Sequence, residues 1–514
     1  MNIGLSIASL FAAAALAVPA QSNPLQDGVA SFRQGQYEIA LQQFQQAKLL
    51  RPNDAILENL IGLTETRLGH FDQADNDYES AIRINPTLAD PHKNLAVNYL
   101  QAGKYLQAAA QLKNALVFDS SDSAAHYYLI LADLALQNDA EVIANMKAAQ
   151  PLLANDPEAA VAAIKACLHA AAPAPARELT SALEQQSRLS AAQEYELAQA
   201  YSSSGFELDA AQRFRVVLQM QPASWEAKYN LALSLARAKQ TGEASRLLQS
   251  LAADHRDNAN VQSLVSAVAE FISDSALAVT ALENAVAADP HNPDRYLDCT
   301  RLLMDLNRYD EADIVVRRGL SQVQDTYPLT IRLGAIEMAR GNHQAAEDQY
   351  RQAILQHPSV ALGYVALAQA FMKEGDDRQA IRVLTEGRSV VPPDFALEYA
   401  LGIVSGRLGQ QQQAIEAFVR STQLNPDIVE PHYQLGLTYL QQGQLKESQE
   451  QFESVLRLDQ TNVAACFQLS RIFARMGDKE KAQQMSARAQ ELGKTQQDSA
   501  LRAERLRVSP FQPQ

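Results

Sequence analysis

The chain is poor in the residues on which most chemistry depends. It has one tryptophan, three cysteines and nine histidines in 514 residues, and its 44 basic side chains are outnumbered by 59 acidic ones. A net charge of −15 leaves no basic face with which to neutralise phosphates, which argues against nucleic acid as a partner. The odd, sparse cysteines, Cys167, Cys299 and Cys466, do not make a disulfide framework. No P-loop, G-x-G-x-x-G, H-E-x-x-H or G-x-S-x-G motif occurs, and the histidines are scattered without a second ligand at metal spacing. These absences give no catalytic residues, no metal site and no cofactor, and they point away from an enzyme.

Residues 1–20 (MNIGLSIASLFAAAALAVPA) lack any charged side chain. With small residues at Val18 and Ala20, they read as an export signal cleaved before Gln21, although the usual Lys or Arg at its start is missing. An uncleaved anchor or a first helix is the alternative. No later apolar run is long enough to span a membrane, so no transmembrane segment is expected in the mature chain.

What is abundant is repetition. Pro52 and Pro86 close similar segments 34 residues apart, and steps of the same size land on Pro222, Pro290, Pro358, Pro392 and Pro426. A repeat frame therefore starts at residue 21 and advances by 34. Position 20 of the frame is Ala in 12 of 14 repeats, from Ala40 to Ala482, where composition alone would give about two. Position 15 is Gly nine times, and position 24 is bulky, as in Phe44, Tyr78, Phe214, Tyr350, Phe418 and Phe452. Position 8 is small in most repeats, as in Gly28, Gly62, Gly334, Gly402 and Gly436, but is Ile130 and Ile164 in repeats 4 and 5. The columns describe two helices and two turns. Gly at 15 ends the first helix in a left-handed residue, and Pro at 32 follows the second, where it breaks no helical bond. Small residues at 8 and 20 allow close approach, and the bulky residue at 24 fills the remaining space.

The stretches Tyr399–Pro426, with Leu401-Gly402, Gly409, Ala414 and Phe418, and Gln434–Leu456, with Leu435-Gly436, Tyr439 and Phe452, resemble the tetratricopeptide repeat family. The second departs from the pattern at Ser448. The resemblance covers fourteen frames, residues 21–494. It implies an all-α fold, a right-handed α-solenoid of helix–turn–helix repeats with a C-terminal capping helix. The expected organisation is a signal at 1–20, repeats over 21–136, two degenerate repeats or an irregular bend at 137–188, repeats over 189–494, and a cap and tail at 495–514, with the capping helix near Thr495–Arg507. In the degenerate part position 15 is Gln137 and then Ala171, and Pro173 and Pro175 fall where a second helix should begin.

In this family the first helices line a concave groove, and the resemblance implies that positions 5 and 13 point into it. Position 5 carries Tyr127, Tyr195, Tyr229, Tyr399, Tyr433 and Phe467, and position 13 carries Arg33, Arg67, Arg237, Lys373, Arg407 and Arg475. Tyr399, Tyr433 and Phe467 with Arg407 and Arg475, and Tyr229 with Arg237, are thus candidate contacts for extended or acidic peptides. Position 5 buried between repeats is the competing reading. Lys93 at position 5 is followed by Val97 at position 9, so the family's carboxylate clamp is absent. His92, His126 and His432 all fall at position 4 and read as packing residues. The expected function is an exported scaffold, periplasmic or secreted and peripheral to an outer membrane, that binds proteins or peptides. An assembly factor for a bacterial pilus, secretion channel or polysaccharide exporter is an alternative, and a repeat array supporting an enzyme is a further one.

Overall fold

The computed structural model describes residues 23–503 apart from 187 and 188, with side chains up to 494. The expected signal, residues 1–20, and the tail beyond 503 lie outside the described residues. Among those described there are 28 helices and no strand.

The frame read from the columns is the frame of the helices. First helices of repeats 2–14 begin every 34 residues from Ala55 to Val463, and second helices from Tyr37 to Lys479. Repeats 4 and 5, weak in sequence, keep the same spacing. Their helices are Ser123–Ala135, Asp139–Leu153, Pro157–His169 and Pro173–Gln185. Pro173 occupies the first turn of its helix, where no backbone donor is missed.

The turn chemistry explains this persistence. All nine glycines at position 15 have positive φ, and so do the five residues that replace glycine there: Gln137, Ala171, Lys239, Ser273 and Asn307, with φ of 55–64°. The left-handed turn is therefore imposed by the packing of the two helices, whichever residue occupies it.

Position 20 is fully buried in repeats 1–13, where it is Ala in eleven, Val142 in repeat 4 and Ser448 in repeat 13, and the small side chain lets the two helices approach closely. Ser448 fits the same slot because its hydroxyl donates to the Gly436 carbonyl at 2.7 Å, so no buried polar atom is left unmade. The position 24 rings cover the position 8 glycines and are themselves almost wholly buried. Removal of such a ring from water contributes roughly 1.5–3 kcal/mol. The three cysteines are free and buried in separate repeats, and burial pushes the Cys167 and Cys299 thiols to about 11 and about 12.

Two compact units divide the chain, one up to Ser234 and one from Leu235. The division falls within the first helix of repeat 7, Trp225–Arg237, and the segment 137–188 lies inside the first unit. At the C-terminus no new capping helix begins at 495. The second helix of repeat 14 instead runs on from Lys479 to Ala503.

Candidate peptide-binding surface

In repeats 2, 3, 4 and 6, position 5 joins the repeat to the next. The Lys93 ammonium donates to Asp122 at 2.5 Å and the Tyr127 hydroxyl to Asp156 at 2.7 Å. Both acids are N-caps of the following first helix, Asp122 accepting from Ala124 and Ala125, and Asp156 from Ala159. Elsewhere the partner is position 6 of the next repeat: Asn94 donates to Asn59 at 3.0 Å, and Asn230 to the Tyr195 hydroxyl at 2.7 Å.

The rings at position 5 also lean on position 24 of their own repeat. Tyr195 meets Phe214 at 5.5 Å, Tyr433 meets Phe452 at 5.4 Å and Tyr399 meets Phe418 at 5.9 Å, between ring centroids. Edge and tilted contacts of this kind are favourable for aromatic pairs. Tyr399 and Tyr433 are consequently half-buried, and burial raises the Tyr399 hydroxyl above its ordinary value. Tyr229 has no exposed surface at all, so it is removed from the list of candidate contacts. The expected ladder of Tyr399, Tyr433 and Phe467 is corrected accordingly: the first two brace the core, and only Phe467 stands free, at 57% exposure.

The cations at position 13 divide in the same way. Arg407 donates to Asp377 at 3.1 Å and to the Met372 carbonyl at 3.1 Å, both in repeat 11, so it ties two repeats together. Arg237 is half-buried. Arg475 is exposed and has no ion-pair partner among the described residues.

Phe467 and Arg475 thus remain uncommitted on one helix, Val463–Met476 of repeat 14, while Lys373 is exposed on a separate helix, Ala361–Glu374. Phe467, Arg471 and Arg475 are spaced four residues apart and share one face. The Arg471 guanidinium lies 5.9 Å from the Phe467 ring centre, a cation–π arrangement. Arg471 was not singled out in the sequence, although its spacing from Phe467 is the signal that finds it. The face offers a large apolar ring and two guanidinium groups. Such a face suits an extended segment that pairs an apolar side chain with carboxylates. Among the described residues no cluster of three His, Cys, Asp or Glu is placed to hold a metal, and no helix is long and apolar enough to cross a membrane.

A series of helical hairpins in one 34-residue register, several of them joined to the next by side-chain hydrogen bonds, defines an α-solenoid repeat protein. The chain belongs to the tetratricopeptide repeat family: tetratricopeptide repeat models match residues 59–88, 208–268, 274–330, 331–389, 429–462 and 463–492, and a TPR repeat model matches 407–443.

Over 120 residues it is 29% identical to a peroxisomal targeting signal receptor of Candida albicans, a match covering 22% of this chain and 20% of that protein. Solved structures similar to it include yeast Tom70, at 14% identity over 94% of this chain and 98% of that one, with a TM-score of 0.37. Another is YrrB, described as a TPR protein with an unusual peptide-binding site, at 21% identity over 37% of this chain and 98% of that one, with a TM-score of 0.30.

Proposed function

We propose that this chain is a non-catalytic scaffold that binds extended, acidic protein segments on the first-helix face of its last repeat. The observation that supports this is the contrast along position 5. Tyr399 and Tyr433 are packed against core rings, whereas Phe467 is exposed and flanked by Arg471 and Arg475. The earlier repeats then serve mainly to carry and space that face. The uncharged residues 1–20 support export, with the mature chain beginning near Gln21 in a periplasm or the medium, where an assembly role in a bacterial envelope machine fits a scaffold. N-terminal sequencing of the exported chain tests that part, and finding Met1 retained in a soluble cytoplasmic pool overturns it.

The binding face is tested by panning a displayed peptide library on the wild-type chain, then measuring the selected peptides on Phe467→Ala with Arg475→Ala. Selected peptides should be rich in Asp and Glu. They should bind the double variant at least tenfold more weakly, with an unchanged melting temperature, because these side chains contact solvent rather than core. Binding should weaken with salt. Peptides that bind wild type and variant equally would place the contact elsewhere.

A further inference from the structure

Position 4 holds one repeat to the one before it. In repeats 3, 4 and 13 this latch is a histidine. Its Nε2 reaches the preceding turn's carbonyl (Pro86, Ser120 or Pro426) and its Nδ1 meets the side-chain amide of Gln111, Asn145 or Gln451. Three repeats use a glutamate instead. Glu58 accepts from Lys48 of the preceding repeat at 2.8 Å, and Glu194 accepts at 3.3 Å from Arg213 of its own repeat, which in turn pairs with Glu184 of the preceding one.

Glu398 is different. It is only 5% exposed, yet its Oε2 has no hydrogen-bond donor. Arg420 and Arg388 face it from either side, but stand off at 3.5 and 3.9 Å. Neither guanidinium makes a hydrogen bond among the described residues. These three side chains line an open cavity of about 550 Å³, whose other walls include Pro392, Pro393, Asp394, Leu397 and Leu424. A buried acceptor without a donor lies beside two donors without acceptors, and an apolar wall runs alongside. An unmade bond at a buried group is destabilising, and a ligand with the matching groups removes that cost.

We propose that this cavity, between repeats 11 and 12, binds a carboxylate with an adjacent N–H on an apolar carrier. The carboxylate pairs with Arg388 and Arg420, the N–H donates to Glu398, and the apolar side chain lies against Pro392, Pro393 and Leu424. Two sources carry this chemistry: a free N-acylated hydrophobic amino acid, and the carboxyl-terminal residue of a peptide chain. Burial, the largest influence, holds the Glu398 carboxyl above its ordinary value, and Arg420 and then Arg388 offset part of that rise. The site is built from the ends of two second helices, the start of the first helix Phe395–Arg407 and the inter-repeat turn; it shares no residue with the Phe467 face and does not rest on the function proposed for that face.

The probe is N-acetyl-leucine, titrated by calorimetry into the full chain, with N-acetyl-leucinamide as control. The acid should bind at least tenfold more tightly than the amide. A peptide ending in leucine that binds more tightly than N-acetyl-leucine identifies the chain end as the source, and weaker binding identifies the free acid. Failure of both acids to bind overturns the proposal. Arg388→Gln with Arg420→Gln should lose at least tenfold in affinity, while Phe467→Ala should lose nothing. If the arginine variant does not fold, the Nε–H resonances of wild-type Arg388 and Arg420 decide the matter. Movement of both on titration supports the site, and movement elsewhere alone refutes it.

Discussion

Gly402 and Phe418 are packed so tightly that a Cβ built on the glycine would lie 2.4 Å from the ring. The equivalent pair in repeat 13, Gly436 and Phe452, leaves 3.0 Å. Positions 8 and 24 are thus one contact, and its closeness varies between repeats. Both rings are buried and cannot swing into solvent. Gly402→Ala should therefore force the helices apart and cost about 1–3 kcal/mol through overpacking. Gly436→Ala should cost less, because a shift of a few tenths of an ångström accommodates it. Chemical denaturation of the two variants makes the comparison, and equal losses would show that the hairpins adjust freely.

Ala171 has a φ of 55° and an exposed side chain, so its methyl group is strained without contributing burial. Glycine reaches this conformation without the clash. Ala171→Gly should stabilise the protein by about 0.5–1 kcal/mol, against the usual penalty for introducing glycine. Gln137→Gly should behave alike. A loss of stability in both would mean that the left-handed turn is not strained.

These two sites also show what was legible in the sequence. The columns at 8, 15, 20, 24 and 32 are each tied to a single local demand, a turn or a close approach, so the residue type reveals the structure. The weak repeats were harder to read because Gln137 and Ala171 tolerate the left-handed turn without advertising it. The binding face was less legible still. Whether a first-helix tyrosine faces solvent or its own second helix depends on packing that spacing does not specify. Tyr399 sits against Phe418, nineteen positions along, and Arg407 is claimed by Asp377 in the preceding repeat. The Arg388–Glu398–Arg420 cavity draws its three side chains from different frame positions in two repeats, so no column announces it.

His432 bridges the Pro426 carbonyl and the Gln451 side chain, at 3.3 and 2.8 Å. Alanine there removes both bonds and leaves partners unmade, which should cost about 1–3 kcal/mol. Glutamine should restore much of the loss. Gln262 already holds position 4 in repeat 8, donating to the Ala252 and His255 carbonyls at 2.7 and 2.8 Å. Melting curves for His432→Ala and His432→Gln check this. If glutamine is no better than alanine, ring packing rather than hydrogen bonding holds the latch.

Asp77 supplies the clearest dependence on pH. Burial is the largest influence on its carboxyl and pushes it up to about 6. Lys48 acts in the opposite direction, and Glu58 and Glu65 add to the rise. Lys48 is engaged with Glu58 at 2.8 Å, so its charge is shared between the two acids. A carboxyl whose value is higher in the folded than in the unfolded chain favours folding when protonated. Its contribution is fully present below about 4, the unfolded value, and is lost as pH rises through about 6. Above that, folding must hold a partly buried charge beside two others of the same sign. Asp77→Asn removes the charge at every pH and keeps the shape. The variant should therefore melt close to wild type at pH 4 and above it at pH 7.5. The difference between the two proteins isolates this group from the other acids that titrate in the same range. A difference that does not grow between pH 4 and pH 7.5 would show that Asp77 ionises at its ordinary value and that water reaches it freely.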